Sequence, residues 1–172
     1  MAKLFKRYYK EILIGLIIAL LGSNYYHKHY YYKVIIPSES METTIMPGDK
    51  VLVSKNIDDM KVGQIYTFYR GKILYIKRLI AIGGDHVVIN NNDVYVNNKK
   101  LTETYVSSDM TSTIYMDLVV PEGKYFFLGD NRNNSNDARY WDNHFIDKSD
   151  IDGRAVEILS PKNRKSNLNR EF

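Results

Sequence analysis

Residues 73–82 read Ile-Leu-Tyr-Ile-Lys-Arg-Leu-Ile-Ala-Ile, an apolar stretch with two adjacent cations near its centre. A hairpin-like turn precedes it at Arg70-Gly71-Lys72 and Gly83-Gly84-Asp85 ends it, so it predicts a strand. Alternation puts Ile73, Tyr75, Lys77, Leu79 and Ala81 on one face, and Leu74, Ile76, Arg78, Ile80 and Ile82 on the other. Both faces are apolar apart from one cation each. At a sheet edge, Lys77 and Arg78 would snorkel out to solvent. In a buried strand, Lys77 would sit between Tyr75 and Leu79, where desolvation favours the neutral amine. A neutral lysine is a base, and a serine hydroxyl is a poor nucleophile until a base takes its proton.

The chain from Val34 onward also reads as β. Val51 to Val53, Ile65 to Tyr69, Val87 to Ile89, Val94 to Val96, Lys124 to Leu128 and Gly153 to Leu159 are short runs separated by turn formers. Asn90 to Asp93 and Asn97-Asn98 mark tight turns. Residues 102–117 are polar and hydroxyl-rich and are expected to be irregular. Residues 160–172 form a polar basic tail, expected to be disordered. Many short strands without a helical period predict a mainly β domain, barrel-like or an open sheet, over residues 27–159. A length of 172 residues fits one such domain plus an anchor.

Lys3, Lys6, Arg7 and Lys10 precede an uncharged run from Ile12 to Ser23. That run is short against the ~20 residues of a spanning helix. It suits either a cleaved secretory signal or an uncleaved anchor. A cleavage site needs small residues three before and one before the cut. Neither Ala19 with Leu21 nor Leu21 with Ser23 provides them. Tyr8, Tyr9, Tyr25 and Tyr26 suit a membrane interface. The expectation is a cytoplasmic segment at residues 1–10, one transmembrane anchor at 11–26, and an extracytoplasmic domain that begins with a polar neck at 27–33. The net charge of +4 gathers at the two ends without a central basic stripe, which favours membrane lipid over nucleic acid as a partner. His27 and His29 lack a nearby carboxylate and suit a solvated neck better than a metal site. The absence of cysteine excludes disulfides, zinc–cysteine sites and a thiol nucleophile.

A nucleophile candidate lies in Pro37-Ser38-Glu39-Ser40-Met41, just beyond the N-terminal segment. Ser38 alone reads equally well as a helix cap, and Pro37 as a loop residue. A third segment, Gly129 to Arg139, is dense in turn formers and carries Asp130, Asn131, Arg132, Asp137 and Arg139. Asp137 and Arg139 read as a turn locked by a salt bridge. Ser135 offers a hydroxyl that could orient a lysine amine toward Ser40.

Taken together and in this order, these motifs resemble the bacterial type I signal peptidases. The resemblance covers roughly residues 1–159: an N-terminal anchor, Ser38-Glu39-Ser40-Met41, Pro47-Gly48-Asp49, Tyr75-Ile76-Lys77-Arg78 leading to Gly84-Asp85, and Gly129-Asp130-Asn131-Arg132 with Ser135, Asp137 and Arg139. It implies a barrel-like, largely β catalytic domain on the outer membrane face, with Ser40 as nucleophile and Lys77 as general base. By the same resemblance Ser38 joins the Ser40 amide in an oxyanion hole, and Ser135 hydrogen-bonds near the lysine. Ile36, Met41 and Ile76 would line pockets for small substrate residues. The substrates would be secreted preproteins, no cofactor or metal is expected, and no obligate oligomer is required. Five positions depart from the family pattern. Thr43 and Ile45 stand where proline and leucine follow the nucleophile, Gln64 where aspartate is usual, Gly83 where proline is frequent, and Asp142 where glycine is common.

Two other readings fit parts of the sequence. A self-cleaving repressor also uses Ser and Lys on a related β fold, but would carry a DNA-binding helix-turn-helix where this chain has an apolar segment. A diverged, weak or inactive member that binds secretory clients would suit the departures at Thr43 and Gln64. Retention of Ser38, Ser40, Lys77 and Ser135 speaks for activity. A base supplied by His86 or His144 is the remaining rival chemistry.

Overall fold

The structure, a computed structural model, describes residues 2–106, 111, 113–161 and 168. One long helix, α1 (Ala2–Tyr30), precedes eleven strands. They are β1 (Tyr31–Ile35), β2 (Lys50–Ser54), β3 (Ile65–Arg70), β4 (Ile73–Ile82), β5 (His86–Asn90), β6 (Asp93–Val96), β7 (Lys99–Lys100), β8 (Tyr115–Val119), β9 (Lys124–Leu128), β10 (Phe145–Asp147) and β11 (Ile151–Ser160). Seven strands form one sheet in the order β1-β2-β11-β3-β4-β9-β10, and four form a smaller sheet in the order β7-β6-β5-β8. Every pairing is antiparallel. The outermost strands of the large sheet, β1 and β10, do not pair, so the domain is an open two-sheet structure and not a closed barrel.

β4 lies inside the large sheet, between β3 and β9. Lys77 and Arg78 are 3% and 0% exposed, which rules out the snorkelling edge strand. A register shift between Leu79 and Ala81 interrupts the alternation, and Leu79, Ile80 and Ala81 are all buried. A bulge of this kind re-aims side chains without ending the strand. Two apolar clusters fill the interior. One packs Tyr66, Phe68, Leu79, Phe126, Phe127 and Trp141 against the small sheet through Val87, Ile89 and Val94. The other gathers Ile36, Met41, Ile45, Val51, Val53, Ile65 and Ile76 beneath the β1–β2 connection.

Several expectations change. α1 runs without a break across the boundaries set at residues 10 and 26, and β1 begins at Tyr31, so the expected polar neck is part helix and part strand. Among the described residues no helix is long and apolar enough to cross a membrane, which leaves the anchor expected at residues 11–26 without a spanning helix. Within the stretch expected to be irregular, β8 begins at Tyr115 and Tyr105 is buried. Most of the tail at 160–172 lies outside the described residues. Its one described interior position, Leu168, is buried in the second cluster.

Candidate active site

The loop between β1 and β2 carries the candidate nucleophile, and its shape follows from what it buries. Ile36, Met41 and Ile45 plunge into the second cluster. Backbone bonds Ile36 N–H to Asp49 O (3.0 Å), Gly48 N–H to Ile36 O (2.8 Å) and Ile45 N–H to Met41 O (2.8 Å) close the loop on itself. The Asp49 carboxylate accepts the Met46 N–H at 2.8 Å. Pinned on both sides, Ser40 is buried at the loop's inner turn, while Ser38 stays exposed.

Lys77 reaches this loop from the centre of β4, and its Nζ donates to Ser40 Oγ at 2.5 Å. With the amine neutral, the same contact can run from the serine O–H to the nitrogen lone pair. Among the described residues no carboxylate pairs with Lys77. Burial pushes its pKa down from 10.5 to about 8, opposed by the more distant Asp137 and Asp130 and aided by Arg139. Ser38 Oγ lies 3.5 Å from Ser40 Oγ. His86 pairs with Asp117 on the small sheet, and His144 Nδ1 donates to the Ala138 carbonyl. Among the described residues neither histidine hydrogen-bonds to a serine.

The Gly129–Arg139 segment forms the back of the site. A 3₁₀ turn spans Arg132–Asn134, with the Asn131 side chain accepting the Asn134 N–H. The Asn131 backbone N–H donates to Ser40 O at 3.1 Å. Gly129 must be glycine here, because a Cβ would fall 2.1 Å from Ser135 Oγ and 2.6 Å from Ser40 O. Asp137 takes two bonds from the Arg139 guanidinium, at 2.8 and 2.9 Å, and one from the Gly129 N–H at 2.9 Å. That is a locked turn. Ser135 is buried against Gly129, and its Oγ has no hydrogen-bond partner in this structure, Lys77 included.

An apolar groove of about 250 Å³ lies between β1 and β4, bounded by Pro37 at the start of the loop that carries Ser40. Val34, Ile35, Ile36 and Pro37 form one wall, Leu74, Tyr75 and Ile76 the other, and Thr67 completes the lining. Ile36 and Ile76 therefore stand where pocket residues are expected. Met41 does not: it is 0% exposed and belongs to the core. A methionine beside a nucleophile looks the same in sequence whether it lines a pocket or plugs the loop.

Much of the polar architecture was not legible as a motif. Arg78 points away from the serine and holds Asp130 through two bonds, Nε at 2.8 Å and NH2 at 2.5 Å. It also donates to Gly63 O at 2.6 Å and to Leu168 O at 3.1 Å. Thr44 Oγ1 donates to Asp130 at 2.6 Å, tying the nucleophile loop to the same carboxylate. The departures have local roles. Ile45 fills the core, Gln64 Oε1 accepts from Tyr66 OH and Arg154, and at Gly83 a Cβ would meet the Glu122 and Gly123 backbone at 2.9 Å. Thr43 and Asp142 are exposed.

The site thus brings a hydroxyl and a buried amine into contact on an open β fold, beside an apolar groove. Residues 5–160 match the family model described as signal peptidase, peptidase S26. The chain is 33% identical over 166 residues to signal peptidase I of Bacillus amyloliquefaciens, covering 90% of this chain and 87% of that protein. It is 31% identical over 173 residues to signal peptidase I S of Bacillus subtilis, covering 92% and 91%. A crystal structure of a signal peptidase I from Enterococcus faecalis superposes with a TM-score of 0.51 at 30% identity, over 59% of this chain and 100% of that one. The chain belongs to the peptidase S26 signal peptidase family.

Proposed function

We propose that this chain removes N-terminal signal peptides from secreted preproteins, with Ser40 as nucleophile and Lys77 as general base. The observation that carries this reading is the 2.5 Å contact between Lys77 Nζ and Ser40 Oγ, deep enough to lower the lysine pKa. Neutral Lys77 takes the proton as Ser40 Oγ attacks the scissile carbonyl. The Ser40 N–H and the Ser38 hydroxyl stabilise the oxyanion, a contribution of about 3 kcal/mol per donor. The protonated lysine then gives its proton to the leaving amine, and an acyl-enzyme remains on Ser40. Water that Lys77 activates releases the peptide. The groove between β1 and β4 accepts the extended residues before the cut, and its limited volume suits small side chains. In this reading Ser135, whose buried Oγ has no hydrogen-bond partner here, takes up the amine once substrate has settled.

The reading includes attachment to the plasma membrane through α1, with residues 34–172 outside the cell. Residues Ile12 to Leu21 are all exposed, so the apolar part of α1 presents greasy surface around its whole circumference. The basic residues Lys3, Lys6, Arg7 and Lys10 lie on one side of it, which would keep that end in the cytoplasm. The test is cleavage of a purified preprotein in micelles or liposomes, with mass spectrometry of the new N-terminus. Wild-type activity that disappears in both Ser40→Ala and Lys77→Ala supports the assignment. Retained cleavage in either variant rejects it, and activity lost on His86→Gln but kept on Lys77→Ala would establish a Ser-His enzyme.

A further inference from the structure

The segment that leaves the small sheet after β7 returns to the nucleophile loop through contiguous contacts. The Glu103 carboxylate grips both arms of the Arg132 guanidinium, NH1 at 3.0 Å and NH2 through a second, short bond. The two side chains are 9% and 2% exposed. Arg132 Nε donates to Gly129 O at 3.0 Å. Gly129 abuts the Ser40 carbonyl, which also accepts the Asn131 N–H. Tyr105 supplies a parallel path. Its OH donates to Glu103 at 2.7 Å, and its ring lies 4.1 Å from the Arg78 guanidinium that holds Asp130.

We propose that Glu103 and Tyr105 are positioning residues for the nucleophile, fixing the Gly129–Asn131 turn against the Ser40 peptide. The inference rests on Ser40 being the nucleophile. Glu103 is the counter-charge of a buried guanidinium, and a buried cation stripped of its partner must relax toward water. Arg132 would then release Gly129 O, and the turn that backs Ser40 would lose its brace. Small displacements of a reacting group act on the transition state more than on substrate binding. The groove is built from residues 34–37, 67 and 74–76, whereas Glu103 bonds Arg132 and Tyr105, so binding should be spared.

The test compares the full chain with Glu103→Gln, Glu103→Asp and Tyr105→Phe on a preprotein substrate in micelles, below the Tm of each variant. Glu103→Gln is expected to lower kcat by about 10–100-fold with KM within about twofold. Glu103→Asp should recover part of that loss by restoring the charge. Tyr105→Phe keeps the ring over Arg78 and should lose less, about 3–10-fold in kcat. If Glu103→Gln fails to fold, Tyr105→Phe carries the same kcat-against-KM test. Unchanged kcat in folded Glu103→Gln and Tyr105→Phe, or a loss confined to KM, overturns the proposal. Cleavage retained by Ser40→Ala removes the nucleophile reading and the positioning role with it. Loss in Ser40→Ala together with normal kcat in the Glu103 variants removes the positioning role alone.

Discussion

Lys77 and Arg78 are neighbours on β4, both buried, and their surroundings are opposites. Arg78 has Asp130 in two bonds, two backbone carbonyls and an aromatic face. Among the described residues Lys77 hydrogen-bonds to one serine hydroxyl, with the Tyr75 ring 5.8 Å away. On the Arg78 side, charge meets charge and every donor is directed, which fixes geometry. On the Lys77 side, desolvation outweighs the more distant Asp137 and Asp130 and lowers the pKa of the amine to about 8, as the proposed base requires. The same sheet thus makes one buried cation scaffold and leaves the other available for the proposed chemistry, and the difference lies in whether a carboxylate stands opposite.

The comparison breaks most sharply at the dyad. Ser40→Ala and Lys77→Ala should each reduce turnover by about 10⁴-fold or more, and Lys77→Arg should fail too, because guanidinium stays protonated. Single-turnover cleavage assays would show it, and a folded Lys77→Ala with activity would erase the contrast. Asp130→Ala probes the other side. It strands Arg78, so unfolding in denaturant should show a loss of about 3–5 kcal/mol. A loss under about 1 kcal/mol would mean that the pair does not brace the site.

Lys77→Met should have the opposite sign. Because burial lowers the folded-state pKa from 10.5 to about 8, the unfolded chain binds more protons between those values, and stability rises with pH across that window. Below about pH 8 the buried lysine is charged and costs the fold most. Met should therefore raise stability at pH 6–7 by about 1–3 kcal/mol, and by less at pH 10. The activity of the wild-type chain should fall about tenfold per pH unit below the same pKa. A pH-independent stability difference would reject the shift. The smallest effect belongs to the surface. Asp59→Asn breaks an exposed pair with Lys61 and should change stability by less than about 0.5 kcal/mol in thermal melts.

Period-two alternation and turn residues make β2 to β6, β9 and β11 readable from the chain alone. β10 has three residues and no period to display, and β8 sits at the end of a hydroxyl-rich stretch that hides it. The pairing of Ser40 with Lys77 is legible through the family resemblance, since no local pattern brings a loop at residue 40 against a strand at residue 77. The Arg78–Asp130 pair spans 52 positions, and no local pattern announces it. Glu103 and Tyr105 are harder still, because a buried carboxylate in a polar stretch has the composition of a loop. α1 is readable as an apolar segment after basic residues, but its ends are not, because the tyrosine-rich stretch to Tyr30 continues the helix.

The sheet order sets a schedule for the protein's birth. β1 and β2 flank the Ser40 loop, β3 and β4 bring Lys77, and the strand between the two pairs is β11, the last one among the described residues. Until β11 arrives, the ladder has a gap between the half that carries the hydroxyl and the half that carries the amine. A chain cut short before residue 151 holds β1–β2 on one side and β3–β4 with β9 and β10 on the other, without the strand that joins them. Long-range insertion of a final strand is slow compared with hairpin closure. The two halves that carry Ser40 and Lys77 are therefore synthesised early and tied into one sheet late.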